Sequence, residues 1–119
     1  MYEVNFYKRH NGNSPVKDFL AILESQPSIN RDIRIQHQQI TRYIQLLREN
    51  GTRLGENVTK HLEDGIWELR PGCNRVLFFY FRDDTFVLLH AFRKRGQKTP
   101  RREIERAKVE RADWLYRMT

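Results

Sequence analysis

The segment IWELR, residues 66–70, places a carboxylate close to a guanidinium. Side chains alternate between the two faces of a β-strand, so Glu68 and Arg70 share one face while Trp67 and Leu69 share the other. A carboxylate can accept a proton, and a guanidinium can bind and neutralise a phosphate. The competing interpretation is a solvated surface pair between Glu68 and Arg70, which would contribute little energy.

A second strand-like segment, VLLHAFRK, carries His90, Phe92 and Lys94. Alternation places these three side chains on one face, provided that no β-bulge interrupts the strand. A histidine for proton transfer, a ring for base stacking and a cation for phosphate would then lie side by side. His90 also suits a hydrogen-bonded core position, and Phe92 suits the core better than an RNA contact.

The chain is basic, and its positive charge is concentrated near the end of the sequence. The net charge is +7, and from Arg93 onward ten lysines and arginines stand against four acidic residues. Gly96 and Pro100 predict that RKRGQKTP forms a loop, so Arg93, Lys94 and Lys98 can converge on one polyanion such as RNA. The segment after the loop has mixed charges, which is typical of an ordinary solvated helix.

Arg75 begins a third apolar run, RVLFFYF, and is a further candidate for phosphate binding. The competing interpretation is a structural contact between Arg75 and Asp83 or Asp84 in the turn that follows this run.

Length and composition predict one domain over residues 1–119. Cys73 is the single cysteine of the sequence, so the chain cannot form an internal disulfide framework. The sequence has no secretory signal and no apolar stretch of membrane-spanning length, which predicts a cytoplasmic protein without membrane contact. It has no glycine-rich nucleotide loop, metal-ligand spacing or nucleophilic triad, so we expect neither a cofactor nor a metal.

Local patterns predict the order of the elements. YEVNFY alternates as a strand, and Ser14 followed by proline predicts the N-cap of a short helix that ends before Pro27. An apolar stripe between Ile29 and Leu47 predicts a longer helix that the Asn-Gly of residues 50–51 ends. Three apolar runs follow at hairpin spacing, the first joined to the second by Asp-Gly, and a last helix begins near Pro100.

The predicted fold class is α+β. It comprises an N-terminal strand, a two-helix hairpin, an antiparallel meander of three to four strands packed on the helices, and a C-terminal helix. RVLFFYF is apolar on both faces, which predicts a central strand covered on at least one side. Trp114 and Leu115 predict either a docking contact for the last helix or a surface for a partner.

LEDGIWELR, then NRVLFFYF, then VLLHAFRKRGQKTP with a following IERA helix, resembles the phage-derived, HigB-like branch of the RelE and ParE toxin superfamily. The resemblance covers nearly the whole chain, and the order and spacing of these segments are its most specific part. It implies a RelE-like fold and the toxin of a type II toxin–antitoxin pair, which cleaves mRNA without a metal or cofactor. It also implies a helix-turn-helix antitoxin as partner, and action on the ribosome, at the A site of the 30S subunit.

The resemblance also implies roles for individual residues. Arg70 matches the phosphate-binding arginine of the family, and Lys60 matches a position where relatives often carry a catalytic or phosphate-binding lysine. Metal-free RNA cleavage uses the adjacent 2′-hydroxyl as nucleophile, so a site must remove its proton, neutralise a phosphorane and protonate the 5′-oxygen. We expect Arg70 and Lys94 to hold the phosphate and Lys60, Glu68 or His90 to transfer protons. An ordinary lysine is protonated at neutral pH, so a basic Lys60 would require help from neighbouring cations.

Two other functions remain open at the level of sequence. One is a ParE-like toxin that inhibits DNA gyrase without hydrolysis, and the other is a non-catalytic RNA-binding module. Gyrase-dependent DNA damage would identify the first. Salt-dependent RNA binding without cleavage would identify the second.

Overall fold

The computed structural model describes residues 1–26 and 31–119. Along these ranges the elements are β1 (Glu3–Phe6), α1 (Pro15–Glu24), α2 (Arg31–Asn50), β2 (Thr59–Glu63), β3 (Ile66–Leu69), β4 (Asn74–Arg82), β5 (Thr85–Arg93) and α3 (Arg101–Met118). The predicted α+β, RelE-like architecture is confirmed. Ser14 occupies the predicted N-cap position of α1, although its hydroxyl makes no capping hydrogen bond. The predictions for Pro27 and Ile29 lie outside the described residues.

The strands form one sheet in the order β1-β5-β4-β3-β2. β2 to β5 are an antiparallel meander, and β1 joins its far edge parallel to β5. Asp64 and Gly65 connect β2 to β3 with φ angles of 51° and 79°. Two successive positive φ angles define the type I′ turn, whose twist matches that of the flanking strands and which Asp-Gly favours. This turn fixes the pairing of β2, which carries Lys60, with β3, which carries Glu68 and is followed directly by Arg70.

Both faces of the sheet are covered. One core contains side chains of α1, α2 and the sheet, among them Val16, Ile40, Ile44, Leu47, Val76 and Phe78. The other core contains side chains of α3 and the sheet, among them Ala107, Trp114, Leu77 and Phe79. Full burial of such an apolar side chain contributes about 1.5–3 kcal/mol. The predicted docking of the last helix is confirmed, because Trp114 is buried and its ring meets Phe81 edge-on.

A β-bulge lies in β5 at the level of the α3 core. Leu77 pairs with His90 while Phe78 pairs with Leu88, so Leu89 is an additional residue on β5. Leu89 joins the α3 core and the next residue, His90, also contacts α3. Because the bulge precedes His90, it does not disturb the predicted alternation of the residues that follow.

Candidate functional site

A cleft of about 270 Å³ lies where the β2 edge of the sheet meets the beginning of α3. One wall is formed by β2 and β3, and the other by the loop 94–100 and the first turn of α3. The residues that line it are Lys60, His61, Leu62, Glu68, Arg70, Lys94, Gln97, Lys98, Thr99 and Ile104. Five of the nine predicted site residues are therefore brought together: Lys60, Glu68, Arg70, Lys94 and Lys98.

Glu68 is the acidic side chain of this cleft, and only 2% of its surface is exposed. Its Oε1 accepts a hydrogen bond of 2.5 Å from the Thr99 hydroxyl. Its Oε2 lies 3.5 Å from Arg70 Nε and 3.9 Å from Arg75 Nε. Lys60 is its partner across the β2–β3 pair. Burial of a carboxylate is costly unless charges and donors compensate it, and these groups supply that compensation.

The two arginines are held in place by backbone carbonyls as well as by Glu68. Arg70 Nη1 donates to the carbonyl of Glu56 at 2.7 Å, and Arg75 Nη1 donates to the carbonyls of Gly72 and Asn74 at 2.7 Å. Burial is the main cause that lowers the pKa of the Arg75 guanidinium. An arginine anchored in this way presents its charge in a fixed direction.

The competing interpretation of Arg75, a contact with Asp83 or Asp84, is wrong. Arg75 lies at the start of β4, and the turn with the two aspartates follows its other end. The eight intervening steps place them about 25 Å apart, at roughly 3.3 Å per residue. Arg75 instead lies 3.9 Å from Glu68 Oε2 and does not line the cleft, although its charge adds to burial in lowering the pKa of Lys94.

Lys94 is a cleft cation whose pKa is shifted by burial and by the other charges around the cleft. Burial lowers the pKa of its ammonium group, and repulsion from Arg75 and from the other nearby cations, Arg70 and Lys60, lowers it further. Attraction to Glu68 opposes these effects. An anion that enters the cleft would relieve the repulsion between Lys94 and its cationic neighbours, because the anion is attracted by several positive charges at once.

The remaining predicted residues lie elsewhere. His90 is completely buried, and its two ring nitrogens face Glu103 and Glu110 of α3. Phe92 is half-buried against the α3 core, with its ring centre 6.0 Å from that of His90. Arg93 is exposed and does not line the cleft. His90 and Phe92 thus share one face, as the alternation predicted, but α3 covers that face and they do not reach the cleft.

The charges of α3 are largely engaged with one another and with the β2–β3 hairpin. Arg101 binds Glu63 through two hydrogen bonds of 2.5 Å, and Lys108 binds Glu63 and Asp64. Arg111 also donates to the Asp64 carbonyl. These contacts fasten the tip of the hairpin to α3 and so limit how far the two walls of the cleft can separate.

Sequence reasoning missed Thr99 as a site residue. Its hydroxyl reaches Glu68 across 31 positions of sequence, and no local pattern indicates that contact. Thr99 belongs to VLLHAFRKRGQKTP, one of the segments that carry the resemblance to the toxin family, and this is the one signal that could have identified it.

Within residues 1–26 and 31–119, no three histidine, cysteine or acidic side chains come together as a group able to hold a metal ion. None of the helices in these ranges combines the length and the apolar character needed to cross a bilayer.

Comparison with known protein families identifies the family to which the chain belongs. No curated protein matches the sequence. The model of the family described as phage-derived Gp49-like proteins (DUF891) matches residues 27–112, which include the cleft and most of α3. That family is toxin-like and is related to the RelE and HigB toxins. The chain with its cationic cleft and RelE-like fold belongs to the phage-derived Gp49-like family.

Proposed function

We propose that this protein is the toxin of a type II toxin–antitoxin pair, close to the HigB-like branch, and that it is a metal-independent endoribonuclease acting on mRNA. The observation that carries the proposal is the buried Glu68, surrounded by Arg70, Arg75, Lys60 and Lys94 at one cleft. A fixed group of cations on rigid strands suits a reaction in which negative charge accumulates on a phosphate.

The reaction we propose is attack of the 2′-oxygen of RNA on the adjacent phosphorus. The bond from phosphorus to the 5′-oxygen then breaks, which yields a cyclic phosphate and a free 5′-hydroxyl. Arg70 and Lys98 bind and neutralise the phosphorane. Lys94, whose pKa is lowered by burial and by its cationic neighbours, donates the proton that the leaving 5′-oxygen requires.

The base that takes the 2′-hydroxyl proton is Lys60 or Glu68. Both oxygens of Glu68 already contact other groups, Thr99 on one side and arginines on the other. This favours Glu68 as the residue that orients the cations and Lys60 as the group that meets the substrate. We do not propose His90 for proton transfer, because it is buried under α3 and does not line the cleft.

The partners proposed with this function are mRNA, the 30S A site of the ribosome and a helix-turn-helix antitoxin. The toxin-like family is the support for an antitoxin. A second candidate function is RNA binding without cleavage, and the engagement of both Glu68 oxygens favours it.

The test is cleavage of a defined mRNA during cell-free translation, with and without ribosomes. The variants are Lys60→Ala, Lys94→Ala and Arg70→Ala. The matched control is Arg95→Ala, which removes an exposed cation of the same loop that does not line the cleft. We expect wild type and Arg95→Ala to cut the message equally. Loss of the proton donor or of a phosphate-binding cation should slow cleavage by about a hundredfold or more.

Other outcomes would reject parts of the proposal. Full cleavage by Lys94→Ala, Arg70→Ala and Lys60→Ala would mean that the site is wrong. An intact message together with salt-dependent RNA binding would establish the binding-only function. An intact message together with gyrase-dependent DNA damage would establish the ParE-like function.

A further inference from the structure

The buried cluster of His90, Glu103 and Glu110 has no part in the chemistry proposed above. His90 Nδ1 lies 2.5 Å from Glu110 Oε1, and Nε2 lies 3.1 Å from Glu103 Oε1. The histidine side chain is 0% exposed, and those of Glu103 and Glu110 are 14% and 7% exposed. Three ionisable groups are thus packed between β5 and α3.

The hydrogen bonds of the His90 ring constrain the number of protons in this cluster. Carboxylates are acceptors unless they are protonated, and a neutral imidazole has a single N–H. Two hydrogen bonds from one ring to two carboxylates therefore need two protons shared among the three groups. Two protons leave at least one carboxylate ionised, so at least one of the two hydrogen bonds is charge-assisted, and such bonds are shorter and stronger than neutral ones. Arg106 adds a further contact, because its Nε lies 3.2 Å from Glu110 Oε2.

The position of Glu103 connects the cluster to the cleft. Glu103 lies in the first turn of α3, and its backbone N–H donates to the carbonyl of Pro100 at 3.0 Å. The residue before this proline is Thr99, whose hydroxyl donates to Glu68. Glu110 lies seven residues further along the helix, on the same side but away from the cleft lining.

We propose that His90 is a positioning residue: through Glu103 it fixes the first turn of α3 and so holds the Thr99 hydroxyl on Glu68. Its effect on RNA cleavage rests on the function proposed above, whereas the structural coupling does not. Glu103 transmits the position of His90 to the cleft, and Glu110 fastens the middle of α3 to the sheet.

The experiment compares Glu103→Ala with Glu110→Ala by NMR, because replacing the fully buried His90 could unfold the protein. The two readouts are the order parameter of the Thr99 methyl group and the hydrogen exchange of the Ile104 amide, which donates to Pro100. In Glu103→Ala we expect a lower order parameter and amide exchange faster by about tenfold or more, as for loss of one hydrogen bond to a charged group. In Glu110→Ala we expect a lower Tm, with both readouts at their wild-type values.

Two controls separate positioning from a general structural role. Glu103→Gln retains an oxygen that can accept from His90 Nε2 and should restore both readouts. Arg102→Ala, which removes an 80% exposed neighbour 3.9 Å from Glu103, should change neither. Wild-type values of both readouts in Glu103→Ala, or equal changes in Glu103→Ala and Glu110→Ala, would overturn the proposal.

Cleavage of mRNA by the same variants completes the test. If wild type cleaves, Glu103→Ala should reduce the cleavage rate by about tenfold while RNA binding stays unchanged, in line with the loss of one hydrogen bond. A wild-type cleavage rate in Glu103→Ala would overturn the proposal. If wild type does not cleave, the proposed function fails, and the NMR readouts alone decide whether His90 positions Thr99.

Discussion

Replacement of Glu68 by glutamine removes one negative charge from the cleft with almost no change in shape. The amide oxygen of Gln can still accept from Thr99, which lies 2.5 Å from the carboxylate. The charge opposite Arg70 and the nearly buried Arg75 is lost, and Arg75 has a side chain only 11% exposed. Removal of one member of a buried ion pair costs about 3–5 kcal/mol, and the partial exposure of Arg70 argues for the lower end, about 3 kcal/mol.

A loss of about 3 kcal/mol in the free energy of unfolding corresponds to a definite decrease in the melting temperature. With an unfolding entropy of about 2 cal/mol/K per residue, each kcal/mol in a chain of this length shifts Tm by about 4 °C. Glu68→Gln should therefore melt about 12 °C below wild type in calorimetry at low salt. The matched control is Glu49→Gln on α2. Glu49 is exposed and, among the described residues, accepts one side-chain hydrogen bond, from Gln45, so this variant should melt within about 1 °C of wild type.

The same substitution should also change the affinity of the cleft for anions. Glu68→Gln makes the cleft more positive, so an RNA with a 2′-deoxy residue at the cleavage position should bind about threefold more tightly at low salt. Sodium sulfate should raise the Tm of Glu68→Gln more than that of wild type, because an anion can replace the missing charge. An unchanged Tm together with unchanged RNA affinity would refute the conclusion that Glu68 holds the cations of the cleft.

Three further predictions concern stability. Burial and the hydrogen bond to Asp113 raise the pKa of Tyr7 from 10.0 to about 12, so the stability that this group contributes is complete below pH 10 and is lost as pH rises toward 12. Tyr7→Phe should abolish that part of the alkaline unfolding curve, and absorbance at 295 nm should report the Tyr7 titration itself. Hydrogen bonds from α3 lower the pKa of Glu63 from 4.5 to about 2. Its contribution is therefore complete above pH 4.5 and is lost as pH falls through 2, and an acid titration of Glu63→Gln should lack this loss. Gly72 has a φ of 61°, and a Cβ there would lie 2.5 Å from Gln39 Oε1. Gly72→Ala should cost about 1–2 kcal/mol in denaturant unfolding, whereas Gly96→Ala, at an open position, should cost less than about 0.5 kcal/mol.

Local patterns were sufficient for most of the elements. Period-two alternation and the Asp-Gly turn predicted β2 and β3, and with them the shared face of Glu68 and Arg70, which the 3.5 Å contact confirms. The parallel pairing of β1 with β5 was not predicted, because it joins residues about eighty positions apart and depends on how the whole sheet assembles. Periodicity carries no information on such long-range pairings.

The sequence predicted the face on which His90 lies but not that α3 covers this face. Alternation correctly placed it on the face that carries Phe92. Whether that face was open or covered depended on α3, whose docking brings Glu103 and Glu110 against the ring. A histidine in an apolar run is compatible with catalysis and with a core position, and only the contacts between distant elements distinguish them.

The distribution of charge gives the strongest reason to locate RNA binding at the cleft rather than along α3. The sequence places the largest cationic excess from Arg93 onward, and α3 contributes most of those residues. In the fold, Arg101 pairs with Glu63 and Glu105, and Lys108 pairs with Glu63 and Asp64, so these cations already have acidic partners. The loop cation Lys94 has no such partner within salt-bridge distance among the described residues. Counterion release on RNA binding should therefore decrease when loop lysines are removed and stay nearly constant when α3 cations are removed, which the salt dependence of binding can measure.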